Sequence, residues 1–220
     1  YDMLGLICGS EGLLGVITEV TVKILKKPQT VKAALIGFPT HEDGGNCVSE
    51  IIASGIVPAG MEIMDKALII ATDNFSKAGY PRNVELLLIV ELDGTASEVD
   101  ELINKVSEIS KKNNSLNIKI SKNEAERLSF WIGRKAAFPA CGAMAPDYYC
   151  MDGSIPRGKL AEVLNEISRL SKKYNLPVAN AFHAGDGNLH PLIMFDANDK
   201  ESLRKCEEFG ADILKYCVKV

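Results

Sequence analysis

His183-Ala184-Gly185-Asp186-Gly187-Asn188-Leu189-His190 joins two apolar runs, residues 177–184 and 188–195. Asp-Gly between such runs is a strong signal for a two-residue β-hairpin, because both central residues of that turn need positive φ. Placing Asp186-Gly187 at the turn sets Gly185 opposite Asn188, Ala184 opposite Leu189 and His183 opposite His190. The two strands are then antiparallel neighbours, and a fold that ends in an antiparallel pair followed by a helix is α+β. The same register places two imidazoles on one sheet face with Cβ atoms ~5 Å apart. Imidazoles at that separation can converge on one metal ion, with zinc and ferrous iron both acceptable. A complete site needs a third ligand, and spacing singles out no other Asp or Glu for it. Asp186 is needed by the backbone of its own turn.

Outward from the hairpin, helices and strands alternate. Residues 15–27 place Val16, Thr18, Val20, Val22 and Ile24 on one parity, the pattern of a half-buried strand. Residues 31–38, 61–64, 84–92, 116–120 and 148–155 read as further strands. Val99, Leu102, Ile103, Val106 and Ile109 follow helical spacing, as do Leu160, Val163, Leu164, Ile167 and Leu170. Shorter helices are predicted over 47–55 and 65–75, and a last one starts near Leu203. Ser121 and Glu124 have capping-box spacing at the head of a helix running to Lys135. No strand leads through a G-x-G-x-x-G turn into a helix, so an antiparallel sheet with helices packed on it is favoured over a doubly wound parallel one.

The 220 residues carry 46% apolar and 25% charged side chains with a net charge of −4. These are globular proportions, and the charge excludes a basic nucleic-acid footprint. No apolar run approaches the ~20 residues of a membrane span. The chain opens inside a glycine-punctuated apolar segment and closes within a helical pattern, so it is expected to be a piece of a longer protein. Cys8, Cys47, Cys141, Cys150, Cys206 and Cys217 include no C-x-x-C pair, which leaves free thiols as the expectation.

Two further segments could carry chemistry. Phe130-Trp131-Ile132-Gly133-Arg134-Lys135 ends a helix on two cations beside the single Trp. Cations suit a helix C-terminus, and a guanidinium also matches a substrate carboxylate bidentately. In Gly9-Ser10-Glu11-Gly12-Leu13-Leu14-Gly15-Val16-Ile17-Thr18 the glycines allow close approach of backbone to a ligand. A tight turn accounts for them equally well.

These segments occur in one order together with Pro146-Asp147-Tyr148-Tyr149 and Met151-Asp152-Gly153-Ser154-Ile155-Pro156-Arg157. That order resembles the FAD-linked glycolate oxidase subunits and FAD-dependent D-lactate dehydrogenases, within the vanillyl-alcohol-oxidase-like flavoproteins. The resemblance implies that residues 1–28 are the tail of an FAD-binding domain. It implies that residues 29–220 are a ferredoxin-like cap domain, cut short at its C-terminus. Gly9, Ser10, Gly12, Gly15, Val16 and Ile17 would lie against FAD. Arg134, with Lys135 beside it, would bind the substrate carboxylate. His183 and His190 would hold a divalent metal, zinc or iron, while the third ligand and a catalytic base would lie beyond Val220. The implied reaction is oxidation of a 2-hydroxy acid to the 2-oxo acid, with an iron–sulfur subunit or electron-transfer flavoprotein as partner. The implied location is the cytoplasm, at the membrane periphery if a partner holds it there, and these 220 residues alone are expected to be inactive. Members often carry Arg where this chain has Ala143. The residues themselves leave two other readings open: a metabolite- or metal-binding module without chemistry, and a zinc hydrolase using the histidine pair.

Overall fold

The computed structural model describes residues 1–220. Its framework is one antiparallel sheet with helices on both faces. The strands are β1 (Thr30–Phe38), β2 (Gly60–Asp65), β3 (Leu86–Gly94), β4 (Asn117–Ile120), β5 (Asp147–Cys150), β6 (Gly153–Ser154), β7 (Val178–His183) and β8 (Asn188–Phe195). Their spatial order is β4-β1-β3-β2-β7-β8-β5, with β6 pairing β8. The first four strands interleave as two split βαβ units, the ferredoxin-like arrangement. Strands β7, β8 and β5 widen the sheet beyond β2.

The helices are α1 (Met3–Ile7), α2 (His41–Ala53), α3 (Lys66–Ser76), α4 (Ala96–Lys112), α5 (Glu124–Lys135), α6 (Ala137–Gly142), α7 (Leu160–Tyr174) and α8 (Lys200–Lys219). Alternation along each strand divides the core. One face contributes to a cluster of 33 buried residues with α2, α4, α7 and α8. The other contributes to a cluster of 16 with α3, α5 and α6. In α2, glycines permit the close approach. A Cβ on Gly44 would sit 2.5 Å from Leu86, and one on Gly45 would sit 3.0 Å from Ala161.

Three local expectations are corrected. Residues 15–27 run without a ladder partner, and Val16, Val20, Val22 and Ile24 are all exposed. Alternation marks a strand that could be half buried, but a ladder requires pairing with a neighbouring edge, and that stretch pairs with none of the eight strands. The cap of α5 is Asn123, which accepts from the Glu126 N–H. Ser121 instead accepts from the Ala33 N–H through its Oγ, tying β1 to the chain after β4. Residues 148–155 divide into β5 and β6, while α6 was not foreseen. All six cysteines are free, as expected.

Candidate functional site

The hairpin that decides the fold has a four-residue loop, which displaces the expected register. His183 pairs with Asn188, Phe182 with Leu189 and Ala181 with His190. The His183 carbonyl accepts from the N–H groups of both Asp186 and Gly187. Gly187 then turns into the left-handed region at φ +80°. It does so because β6 passes beneath it: the Gly187 carbonyl accepts from the Ile155 N–H at 3.0 Å, and a Cβ there would lie 2.2 Å from the Ile155 oxygen. Asp186 serves its own turn, its Oδ1 accepting from the Asn188 N–H. The histidines are therefore diagonal rather than opposite. They still share a face, because 183 and 190 both keep the inward parity of Ala181 and Leu192. Diagonal neighbours remain within reach of long side chains, and the rings meet edge to face with centroids 4.9 Å apart.

On the same face of β2 stands Glu62, directly opposite His183 in the ladder. Its Oε1 lies 2.7 Å from His183 Nδ1. Its Oε2 accepts from Arg134 Nε at 3.0 Å and Nη2 at 2.9 Å. The Arg134 and Glu62 side chains are only 12% and 13% exposed, so this pair is largely desolvated. His190 Nδ1 is paired in turn with Asp152 Oδ1, on the link between β5 and β6, at 2.5 Å. Each imidazole thus uses Nδ1 on a carboxylate and retains Nε2 for something else. Metal-ligating histidines are commonly oriented this way, so the pair fits as two ligands of an ion. No group of three or more His, Cys, Asp or Glu side chains is placed to hold one.

Helix α5 delivers Arg134 through a second carboxylate. Glu91 on β3 accepts from Arg127 Nη1 and Trp131 Nε1, each at 2.7 Å. Arg127, Trp131 and Arg134 are four and then three residues apart, hence on one helix face. Gly60 leaves room for the indole, whose nearest atom would be 3.3 Å from an added Cβ. Tyr80 secures the last turn: its hydroxyl donates to the Phe130 carbonyl and accepts from the Arg134 N–H. Burial pushes the Tyr80 phenol up to about 12, so it keeps the proton it donates. Gly133 packs on that ring, where a Cβ would lie 2.2 Å from Cε2.

An open cleft of about 500 Å³ reaches this cluster, lined among others by Pro58, Glu62, Arg157, His183 and Asp186. The structure brings Arg134, His183 and His190 together and leaves Lys135 exposed beside them, outside the network. Gly9, Ser10, Gly12, Gly15, Val16 and Ile17 lie in the N-terminal segment, remote from any core. Gly9 and Gly12 adopt φ +85° and +77° with no atom within 4 Å of where a Cβ would stand. Glu62 and Asp152 were missed from spacing. The available signal for Glu62 was a lone acid between Met61 and Ile63 in an apolar strand, where alternation faces it into the second core.

Residues 27–220 match the family model described as FAD linked oxidases, C-terminal domain. The chain is 51% identical over all 220 residues to the glycolate oxidase subunit GlcD of Escherichia coli K12, covering 44% of that protein. It is 34% identical over 212 residues to the mitochondrial D-lactate dehydrogenase [cytochrome] of Arabidopsis thaliana, covering 37% of it. The chain thus spans under half the length of these relatives. Among solved structures, an alkyldihydroxyacetonephosphate synthase superposes with a TM-score of 0.71 over 98% of this chain and 45% of its own, at 16% identity. A p-cresol methylhydroxylase does so at 0.61 over 87% of this chain and 44% of its own, at 15% identity. Those two likenesses concern the fold alone. With the family match running through every element that builds the site, the chain belongs to the FAD-linked oxidases, through their C-terminal domain.

Proposed function

We propose that residues 29–220 form the cap of a flavoprotein that oxidises a 2-hydroxy acid of the glycolate or D-lactate type, and that residues 1–28 belong to its FAD-binding part. The observation that carries this reading is the meeting of Arg134 with His183 and His190 on one sheet face. Arg134 spends Nε and one Nη2 bond on Glu62. Its remaining N–H groups suit a carboxylate, which a guanidinium binds through parallel charge-assisted bonds. The two Nε2 atoms suit the neighbouring hydroxyl, directly or through a divalent ion. A zinc or iron ion held by His183 and His190 would supply Lewis acidity that lowers the hydroxyl pKa. FAD, lying against Gly9, Ser10, Gly12, Gly15, Val16 and Ile17, would supply the hydride acceptor. What this chain contributes is orientation and polarisation of the acid. Lys135, the residue after Arg134, is the second cation that this reading assigns to the carboxylate.

The relatives named as a glycolate oxidase subunit support assembly with other chains, and an iron–sulfur subunit or electron-transfer flavoprotein would reoxidise the flavin. No helix is long and apolar enough to cross a membrane; the cytoplasm is the proposed location.

The test uses the full-length, FAD-loaded protein and dye reduction with a panel of D- and L-2-hydroxy acids, with and without chelator. Glycolate or a D-2-hydroxy acid is expected to reduce the dye. His190→Ala removes a proposed ligand and is expected to lower kcat/KM by more than the about 10- to 100-fold that losing an outer partner of a ligand costs. A flavin-loaded protein that no 2-hydroxy acid reduces would overturn the function. Activity untouched by both chelator and His190→Ala would remove the metal.

A further inference from the structure

We propose that Glu62 is a positioning residue that fixes two site groups at once: the unpaired edge of the Arg134 guanidinium and the tautomer of His183. It rests on the function proposed above for what those groups then bind, though the positioning itself does not. Both carboxylate oxygens are committed. Oε2 takes Arg134 Nε and Nη2 at 3.0 and 2.9 Å, which occupies one edge of the fork and leaves Nη1 and the second Nη2 hydrogen for a ligand. Oε1 takes His183 Nδ1 at 2.7 Å. A carboxylate is acceptor-only, so a neutral His183 must carry its proton on Nδ1 and present a bare Nε2 lone pair. The ladder makes this geometry stiff, because Glu62 and His183 are direct cross-strand partners on β2 and β7. Arg134 is independently held by the Tyr80 hydroxyl at its backbone and by the Glu91 contacts of Arg127 and Trp131. Glu62 is thus the only side chain seen to touch both the cation suited to a substrate carboxylate and an imidazole suited to its hydroxyl or to an ion.

Replacing Glu62 by Gln separates the two duties. The amide oxygen can still accept from Arg134, so the fork keeps its place. The amide NH₂ can only donate to His183 Nδ1, which moves the ring proton to Nε2 and removes the lone pair offered to the site. The direct readout is ¹⁵N magic-angle-spinning NMR of full-length protein labelled at histidine nitrogens, stripped of metal, at a pH where imidazole is neutral. The His183 signal is assigned by difference against His183→Asn. In the wild type the proton-bearing resonance is expected at Nδ1 and the bare one at Nε2; in Glu62→Gln the two exchange. A wild-type His183 protonated at Nε2 overturns the proposal whether or not the variant folds, and so does a folded Glu62→Gln protein with an unchanged tautomer. Kinetics supply the second arm. Glu62→Gln is expected to lower kcat by about 10- to 100-fold with KM for the 2-hydroxy acid within about threefold, because the carboxylate contact survives. A rise in KM with unchanged kcat would contradict it. A wild type that reduces no dye with any 2-hydroxy acid while showing the Nδ1–H tautomer would sink the function and leave the positioning standing.

Discussion

Among single residues, Asp65 carries a cost that the fold tolerates. It closes β2, caps α3 by accepting from the Leu68 N–H at 2.9 Å, and accepts from Asn180 Nδ2 at 2.6 Å. Burial nonetheless holds its carboxyl above the usual carboxylate range, outweighing those hydrogen bonds. The native state therefore holds this proton more tightly than the unfolded chain does. Stability from this group is present below the unfolded value, about 4, and is lost as pH rises toward the folded value. Asp65→Asn keeps an oxygen for the cap and removes the charge. Its NH₂ takes the place of the oxygen that accepted from Asn180 Nδ2, so the Asn180 amide must turn to let Oδ1, which has no partner in the wild type, accept from it. Urea unfolding is expected to show the variant gaining on the wild type between pH 4 and pH 7. A stability difference that is flat with pH, or that moves the other way, would refute the assignment.

At the scale of the element, α5 decides whether Arg134 reaches the sheet. Three things hold it: Glu91, Glu62 and the Tyr80 ring under Gly133. The last has no slack, since an added Cβ would lie 2.2, 2.7 and 2.8 Å from Tyr80 Cε2, Cζ and Oη. Gly133→Ala would favour the helix by intrinsic propensity, by up to about 1 kcal/mol. The overlap should exceed that, because forcing extra volume into a packed contact costs about 1–3 kcal/mol. The expected result is a lower denaturation midpoint with unchanged slope. Tyr80→Ala in the same chain should erase the penalty of Gly133→Ala, whereas Tyr80→Phe, which keeps the ring, should not. Equal penalties in all three backgrounds would show that the ring is not what Gly133 accommodates.

Across the whole molecule, what could be read in advance was whatever depends on neighbours in sequence. The strong helical stripes of α4 and α7, the apolar run of β3 and the antiparallel sense of β7 and β8 are all local. The hairpin register was not, because it depends on Ile155, a residue outside the hairpin that occupies the space under Gly187. The partner of Arg134 is Glu62, 72 positions away, and no spacing rule spans that distance. The alternation of residues 15–27 is a strand pattern that pairs with no strand. None of residues 1–28 is buried, whereas all the buried apolar residues lie from Ala33 onward, all but Ala71 and Ala140 in two clusters on the two faces of one sheet. Burial of apolar area is the main favourable term in folding, so the first 28 residues should contribute little to the stability of this chain. Comparing the 220-residue chain with residues 29–220 by calorimetry, the midpoint is expected to differ by less than about 2 °C, since 1 kcal/mol shifts a domain of this size by about 2–4 °C. Adding 1–28 back in trans should change nothing. A drop of several degrees on truncation would mean that the exposed alternating stretch packs on the sheet after all, and the separation between an N-terminal segment and a self-sufficient cap would have to be abandoned.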